Sequence, residues 1–167
     1  MGAGTWESHH AITTLIYRYA ECVDSAHFEG LSELFAHATI RSSASAEPEV
    51  GMTGEQVGEF YAATNRVHDD GTLRTRHMAS NLIVDINEVE DTAQARSYYV
   101  VFQATEKLPF QPIAGGRYED RFVRNEGEWE FVDRLIHVDQ IGDMSEHLNF
   151  DLAARNIRYE DVRPPRR

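Results

Sequence analysis

The 167-residue sequence predicts an α+β fold in which a curved, mostly antiparallel sheet wraps around N-terminal helices. Three observations carry this reading. Apolar residues near the start recur at helical spacing, four long stretches rich in β-branched and aromatic residues follow from Arg74 onward, and an Asn/Gly turn joins the last two of these. Helices first and strands later is the order of a segregated two-layer domain, with a space enclosed between the layers as a candidate pocket.

From Ser8 to Val23 the residues Ala11, Ile12, Leu15, Ile16, Tyr19, Ala20 and Val23 return every three or four positions, so one helix face is apolar up to Asp24-Ser25. His27 to Phe35 repeats the rhythm through Phe28, Leu31, Leu34 and Phe35, and the short link predicts a helical hairpin. Thr39 to Ser45 reads as a short strand. Thr53-Gly54-Glu55-Gln56 has the form of a capping box and opens a third helix through Val57, Phe60 and Tyr61. After the polar loop His68-Asp69-Asp70-Gly71, strands are expected at about Arg74–Ile86, Ala93–Thr105, Ile113–Arg124 and Glu128–Val138. Arg124-Asn125-Glu126-Gly127-Glu128 has hairpin-turn chemistry, Trp129 and Phe131 start the returning strand on a common face, and Gly115-Gly116 permits close backbone approach. Ser145 to Arg155 reads as a terminal helix followed by an extended tail, which makes residues 1–167 one domain with a helix and tail from about residue 145.

The length fits one domain, since domains cluster near ~100–150 residues. With 28 acidic against 16 basic residues the formal net charge is −12, which repels phosphate backbones and anionic surfaces; neither nucleic acid nor a membrane is an expected partner. The single cysteine, Cys22, excludes an intrachain disulfide and a thiolate metal cluster and fits a reducing compartment. The N-terminal stretch from Met1 to His10 lacks a targeting pattern, and no apolar run nears the ~18–20 residues that span a bilayer, so a cytoplasmic location is expected. The sequence contains no GxGxxG, Walker loop, GxSxG or HExxH, and neither a cofactor nor a metal is expected.

Asp24, near the end of the first helix, and His77, inside the first long strand, are the leading chemical pair. A histidine oriented by a carboxylate is a compact general base near neutral pH, because the carboxylate fixes the tautomer and stabilises the imidazolium. Strand alternation puts His77, Ala79, Asn81 and Ile83 on one side, unless a bulge shifts the register. Tyr19 stands five residues before Asp24, about 7.5 Å along the axis and roughly 140° around it, and shares a pocket with it only if the helix end bends inward. Asn81, Tyr99, Tyr118 and Phe131 are expected to contact substrate. Alternation turns Trp129, Phe131 and Asp133 away from Arg134, and an interior Arg134 must pair either with a carboxylate such as Asp24 or with an anionic ligand group. His9, His10, His37, His68, His137 and His147, at termini, loops or near the chain end, are weaker candidates.

The segments Leu15-Ile16-Tyr17-Arg18-Tyr19-Ala20 with Val23-Asp24, Leu34-Phe35-Ala36, Arg76-His77-Met78-Ala79-Ser80-Asn81, Gly116-Arg117-Tyr118-Glu119-Asp120-Arg121-Phe122 and Gly127-Glu128-Trp129-Glu130-Phe131 together resemble the SnoaL-like branch of the nuclear-transport-factor-2-like superfamily. The resemblance covers nearly the whole chain and implies a cone-shaped α+β barrel with a deep pocket. Within the superfamily the sequence is most similar to scytalone dehydratase, bile-acid 7α-dehydratase and hexachlorocyclohexane dehydrochlorinase, which eliminate without a cofactor. By motif position, the resemblance gives Asp24 and His77 the roles of the orienting aspartate and the histidine base. It matches Tyr19 to a tyrosine that precedes the aspartate, and Arg134 to an arginine that assists the leaving group. Two features of the dehydratases find no counterpart: a second pocket histidine, and an extra active-site tyrosine sought in Thr39–Ser45.

The expected function is therefore a cofactor-independent lyase acting on a small hydrophobic cyclic substrate, with His77 as base, Asp24 behind it, and Tyr19 and Arg134 stabilising developing negative charge. Two alternatives stand beside it: a non-catalytic subunit like the small subunits of dioxygenases, and an isomerase or polyketide cyclase using the same dyad. The resemblance also implies a homo-oligomer, with a trimer favoured over a dimer.

Overall fold

The computed structural model describes residues 4–45 and 50–151. Helix α1 (Trp6–Asp24) begins where the Thr5 side chain accepts the Ser8 backbone N–H at 3.1 Å, and it buries Ile12, Ile16, Tyr19 and Val23 as their spacing predicts. Helix α2 (Phe28–Leu34) completes the hairpin, and α3 (Glu55–Thr64) packs on it through Gly58. A Cβ on Gly58 would lie 2.6 Å from the Phe28 carbonyl oxygen, so only glycine allows this approach.

The predicted capping box is half formed. The Thr53 backbone N–H donates to Gln56 Oε1 at 3.2 Å, but Gly54 takes the N-cap with φ +49°, and no side chain caps the helix. Thr53 belongs instead to a two-residue strand, β2 (Met52–Thr53), which sequence periodicity is too short to announce. β2 pairs with β1 (Thr39–Ser42), which is shorter than expected.

The four long strands stand close to their predicted places: β3 (Thr75–Asn87), β4 (Thr92–Gln103), β5 (Gln111–Asn125) and β6 (Glu128–Ile141). They form one sheet in the order β2-β1-β6-β5-β4-β3, antiparallel throughout except for the parallel pairing of β1 with β6. The sheet is mixed and open, with β2 and β3 at its edges, rather than a closed barrel. Glu126 and Gly127, at φ +50° and +91°, make the two-residue turn between β5 and β6.

Two bulges change which side chains face inward. On β3 the register shifts between Ser80 and Ile83 around Asn81, which has φ +52°, so Leu82 turns toward the core while Asn81 and Ile83 are exposed. On β6, Phe122 pairs with Phe131 while Arg121 pairs with Asp133, leaving Val132 as the extra residue. Phe131 and Arg134 consequently lie on the same side, contrary to simple alternation, with the guanidinium carbon 4.9 Å from the ring centroid.

The core lies between the helices and the inner face of the sheet, where Phe131 stacks on Phe35 and packs against Phe122. Ser145 to Asp151 do not begin a helix. They form a turn and an isolated bridge between Leu148 and Asn65, because their backbone is engaged by the end of α3: the Arg66 N–H donates to the His147 carbonyl, and the Asn149 N–H to that of Thr64. The remainder of the predicted terminal helix and tail lies outside the described residues. Among the described residues no helix is long and apolar enough to cross a membrane.

Candidate active site

The C-terminal end of α1 and the start of β3 meet at Asp24. The Leu73 N–H donates to the Asp24 backbone carbonyl at 3.2 Å, which fixes the helix end against the strand. Asp24 Oδ1 then accepts from His77 Nδ1 and from the Thr75 hydroxyl, both at 2.6 Å, while Oδ2 accepts the His77 backbone N–H at 2.9 Å. Burial by itself would push the Asp24 carboxyl up. The hydrogen bond and charge of His77, with the Thr75 hydroxyl and the backbone N–H, hold it below its ordinary value instead. An ionised carboxylate can only accept, so His77 Nδ1 carries the hydrogen and the neutral ring keeps its lone pair on Nε2.

The His77 ring lines a cavity of about 950 Å³, at the upper end of the range for small-molecule sites, walled largely by apolar side chains such as Val23, Ile40, Val101 and Ile136. Tyr19 joins it there, with ring centroids 6.5 Å apart and planes at 83°. No bend of α1 is needed to unite Tyr19 with Asp24, because the imidazole spans the gap between them. The Tyr19 hydroxyl lies 2.6 Å from that of Tyr61 on α3, and Tyr99 and Tyr118 stack at 4.4 Å along the same wall. Gly116 lets β6 approach closely beside this wall, because a Cβ there would come 1.9 Å from the His137 carbonyl oxygen and 3.0 Å from the Tyr99 ring. Burial raises all four phenols, despite the opposing charge of Arg134 at Tyr19, Tyr61 and Tyr118, so they remain protonated donors.

Three expected contacts fall elsewhere. Asn81 is exposed on its bulge and does not line the cavity; Phe131 is a core ring between Phe35 and Phe122. Arg134 is fully buried behind the cavity wall. It forms a two-pronged ion pair with Asp120 at 2.7 and 2.8 Å, not with Asp24, and its guanidinium carbon stands 4.3 Å from the centroids of both the Tyr19 and Tyr118 rings. Its reach into the site is electrostatic, through those rings. Asp24, His77, Tyr19, Tyr99 and Tyr118 are the expected residues that the structure brings together.

Of two further cavity residues, the sequence reading gives Tyr61 no site role and ranks His147 among the weaker histidines. Tyr61 occupied an apolar position of a helix, where only its being tyrosine rather than phenylalanine hinted at a polar task. His147 falls in the stretch expected to be a terminal helix, yet it lines the cavity from a turn, with 7% exposure. Among the described residues, no three or more His, Cys, Asp or Glu side chains converge as a metal site would need.

The SnoaL-like domain model matches residues 4–134. The beta subunit of benzene 1,2-dioxygenase from Pseudomonas putida is 35% identical over 79 residues, a stretch that takes in 46% of this chain and 42% of that subunit. Among solved structures, a Mycobacterium tuberculosis protein of unknown function superposes with a TM-score of 0.65 at 20% identity, covering 94% of this chain and 85% of that one. An NTF2-like protein with a cystatin-like fold from Novosphingobium aromaticivorans gives 0.65 at 23%, covering 90% and 88%. A candidate scytalone dehydratase from the same organism gives 0.62 at 24%, covering 82% and 87%. At such identities the structures share the fold, which hosts several chemistries.

Proposed function

The chain belongs to the SnoaL-like domain family, and from that membership we propose that it is a cofactor-independent lyase eliminating water or a similar leaving group from a small hydrophobic cyclic substrate. The observation that carries the reading is the Asp24–His77 pair set in the wall of a largely apolar cavity. His77 Nε2 takes a proton next to a carbonyl or a leaving group, and Asp24 stabilises the imidazolium that results. Tyr19, held by Tyr61 and kept protonated, donates to the oxygen on which negative charge develops. Arg134 supports this charge from behind the Tyr19 ring without touching the substrate. The same dyad would serve an isomerase or cyclase, which differs in where the proton returns.

Turnover of cyclic hydroxyketones by His77→Ala and Asp24→Asn tests the mechanism. A fall of about 10²–10⁴-fold in both variants, with the fold retained, is expected for loss of a general base; near-normal turnover in both would falsify it.

A non-catalytic subunit role is favoured by a separate observation, the 35% identity over 79 residues to a dioxygenase beta subunit. Isolation only as a stable complex with a larger oxygenase chain, without turnover of its own, would decide for that role. Self-association is also proposed, as a trimer or a dimer, and is supported by exposed Met78, Tyr98 and Phe110 on and beside the outer sheet face. Light scattering showing a monomer at micromolar concentration would end that expectation.

A further inference from the structure

His147 is a polar group of the cavity that the proposed elimination leaves without a task. It is 7% exposed, shares the cavity with His77, Tyr19 and Tyr61, and its Nδ1 is buried with no hydrogen-bond partner among the described residues. Its position is set by the main chain: the His147 carbonyl accepts the Arg66 N–H at 2.8 Å, its own N–H donates to the Met144 carbonyl, and the next residue bridges to Asn65. The ring is therefore not required to hold its segment in place. Burial, reinforced by the charge of His77 and opposed by that of Asp24, pushes the imidazole down to about 4, so it is neutral near pH 7 and poorly suited to deliver a proton.

We infer that His147 is a specificity residue whose buried Nδ1 reads an oxygen substituent, a hydroxyl or a ketone, on the ring compound that the cavity binds. An imidazole nitrogen left unpaired in a buried site favours any ligand that completes its hydrogen bond. A hydroxyl both donates and accepts, and so fits either tautomer; a ketone fits the tautomer with hydrogen on Nδ1; a methyl group fits neither. Sites built to bond such a group reject analogues that lack it far more strongly than apolar pockets sort by size. The inference rests on reading this cavity as the substrate pocket, but not on elimination as its chemistry.

The test is equilibrium binding of 2-naphthol and 2-methylnaphthalene, matched in shape, to the full chain and to three variants. In His147→Leu the preference for 2-naphthol over 2-methylnaphthalene should fall roughly tenfold, the scale of one lost hydrogen bond. It should persist in His147→Asn, whose amide stands near the Nδ1 position, and in His77→Ala. In the wild-type chain, 2-naphthol should also move the ¹⁵N signal of the His147 ring, a readout that holds even where the leucine variant does not fold. An unchanged preference in folded His147→Leu, an unmoved His147 signal, or collapse of the preference in His77→Ala alone overturns the assignment. Normal turnover in His77→Ala with the preference intact would overturn the elimination and leave His147 in its role.

Discussion

Two carboxylates, each held by a nitrogen side chain, flank the Tyr19 ring, Asp24–His77 on one side and Asp120–Arg134 over one face. Their closest contacts, 2.6 and 2.7 Å, are nearly equal, yet their surroundings differ. The side chains of the first pair are 10% and 15% exposed, and the second pair is sealed, with Arg134 at 0% and Asp120 at 1%. After binding Asp24, the imidazole still owns a lone pair and sits on a cavity wall. After binding Asp120, the guanidinium owns only hydrogens, and the rings of Tyr19, Tyr118 and Phe131 enclose it. What the nitrogen partner has left over, and whether open space lies beside it, separates a pair able to do chemistry from one that orders a core.

Cutting each pair in turn is the most forceful way to break this comparison. Asp120→Ala strands the buried guanidinium and should cost about 3–5 kcal/mol in urea unfolding, whereas Asp120→Leu combined with Arg134→Met should restore much of the loss. Asp24→Asn should cost only about 1–2 kcal/mol, because the amide keeps the shape and its oxygen can still accept from the Thr75 and His77 donors, while removing turnover. Equal destabilisation by the two single changes would erase the distinction.

Acid sharpens it further, because on the cavity side Asp24 and His147 are both held below their ordinary values. The buried His147 ring sits at about 4, below the ordinary value near 6.5, so the unfolded chain binds the proton more readily. Its contribution to stability, on the order of 3 kcal/mol, is complete above about pH 6.5 and is lost as the pH falls toward 4. Asp24 is also held low, so its contribution persists above the ordinary carboxylate range and is lost at still lower pH. Urea midpoints from pH 7 to 4 should fall less steeply in His147→Asn than in the wild type; parallel slopes would show that the ring does not titrate as its burial implies.

The smallest effect concerns the tyrosine pair. Tyr61→Phe removes the hydroxyl 2.6 Å from that of Tyr19 and should lower turnover roughly fivefold, about the value of one neutral hydrogen bond. An effect as large as that of His77→Ala would move Tyr61 from supporting Tyr19 into the chemistry itself.

Local patterns made much of this legible. The period of α1, the strand chemistry from β3 to β6, and the Glu126-Gly127 turn are properties of neighbouring residues, and each stands near its predicted place. Asp24 and His77 were readable because the ends of the elements that carry them were readable. What stayed hidden depends on distant partners. The bulges at Asn81 and Val132 are register choices made against facing strands, and they reversed the expected sides of Asn81 and Phe131. The pairing of β1 with β6 leaves no trace in either strand's composition, and His147 owes its place to main-chain bonds with the end of α3. For Arg134 the sequence leaves a carboxylate or an anionic ligand group as partner, and choosing Asp120 requires knowing that β5 and β6 are neighbours.

The parallel contact of β1 with β6 also says something about how the cavity comes into being. Arg41 and Asp133 hold each other across this seam although they are 92 positions apart in sequence, so the loop must close before the contact can form. During synthesis α1 and α2 leave the ribosome long before β6 exists, and their apolar faces wait for a sheet that only the final hairpin completes. Refolding should therefore run on the slower timescale of non-local topologies, and a ligand that binds the cavity should slow unfolding without speeding the early collapse. The pocket is among the last parts of the molecule to be made.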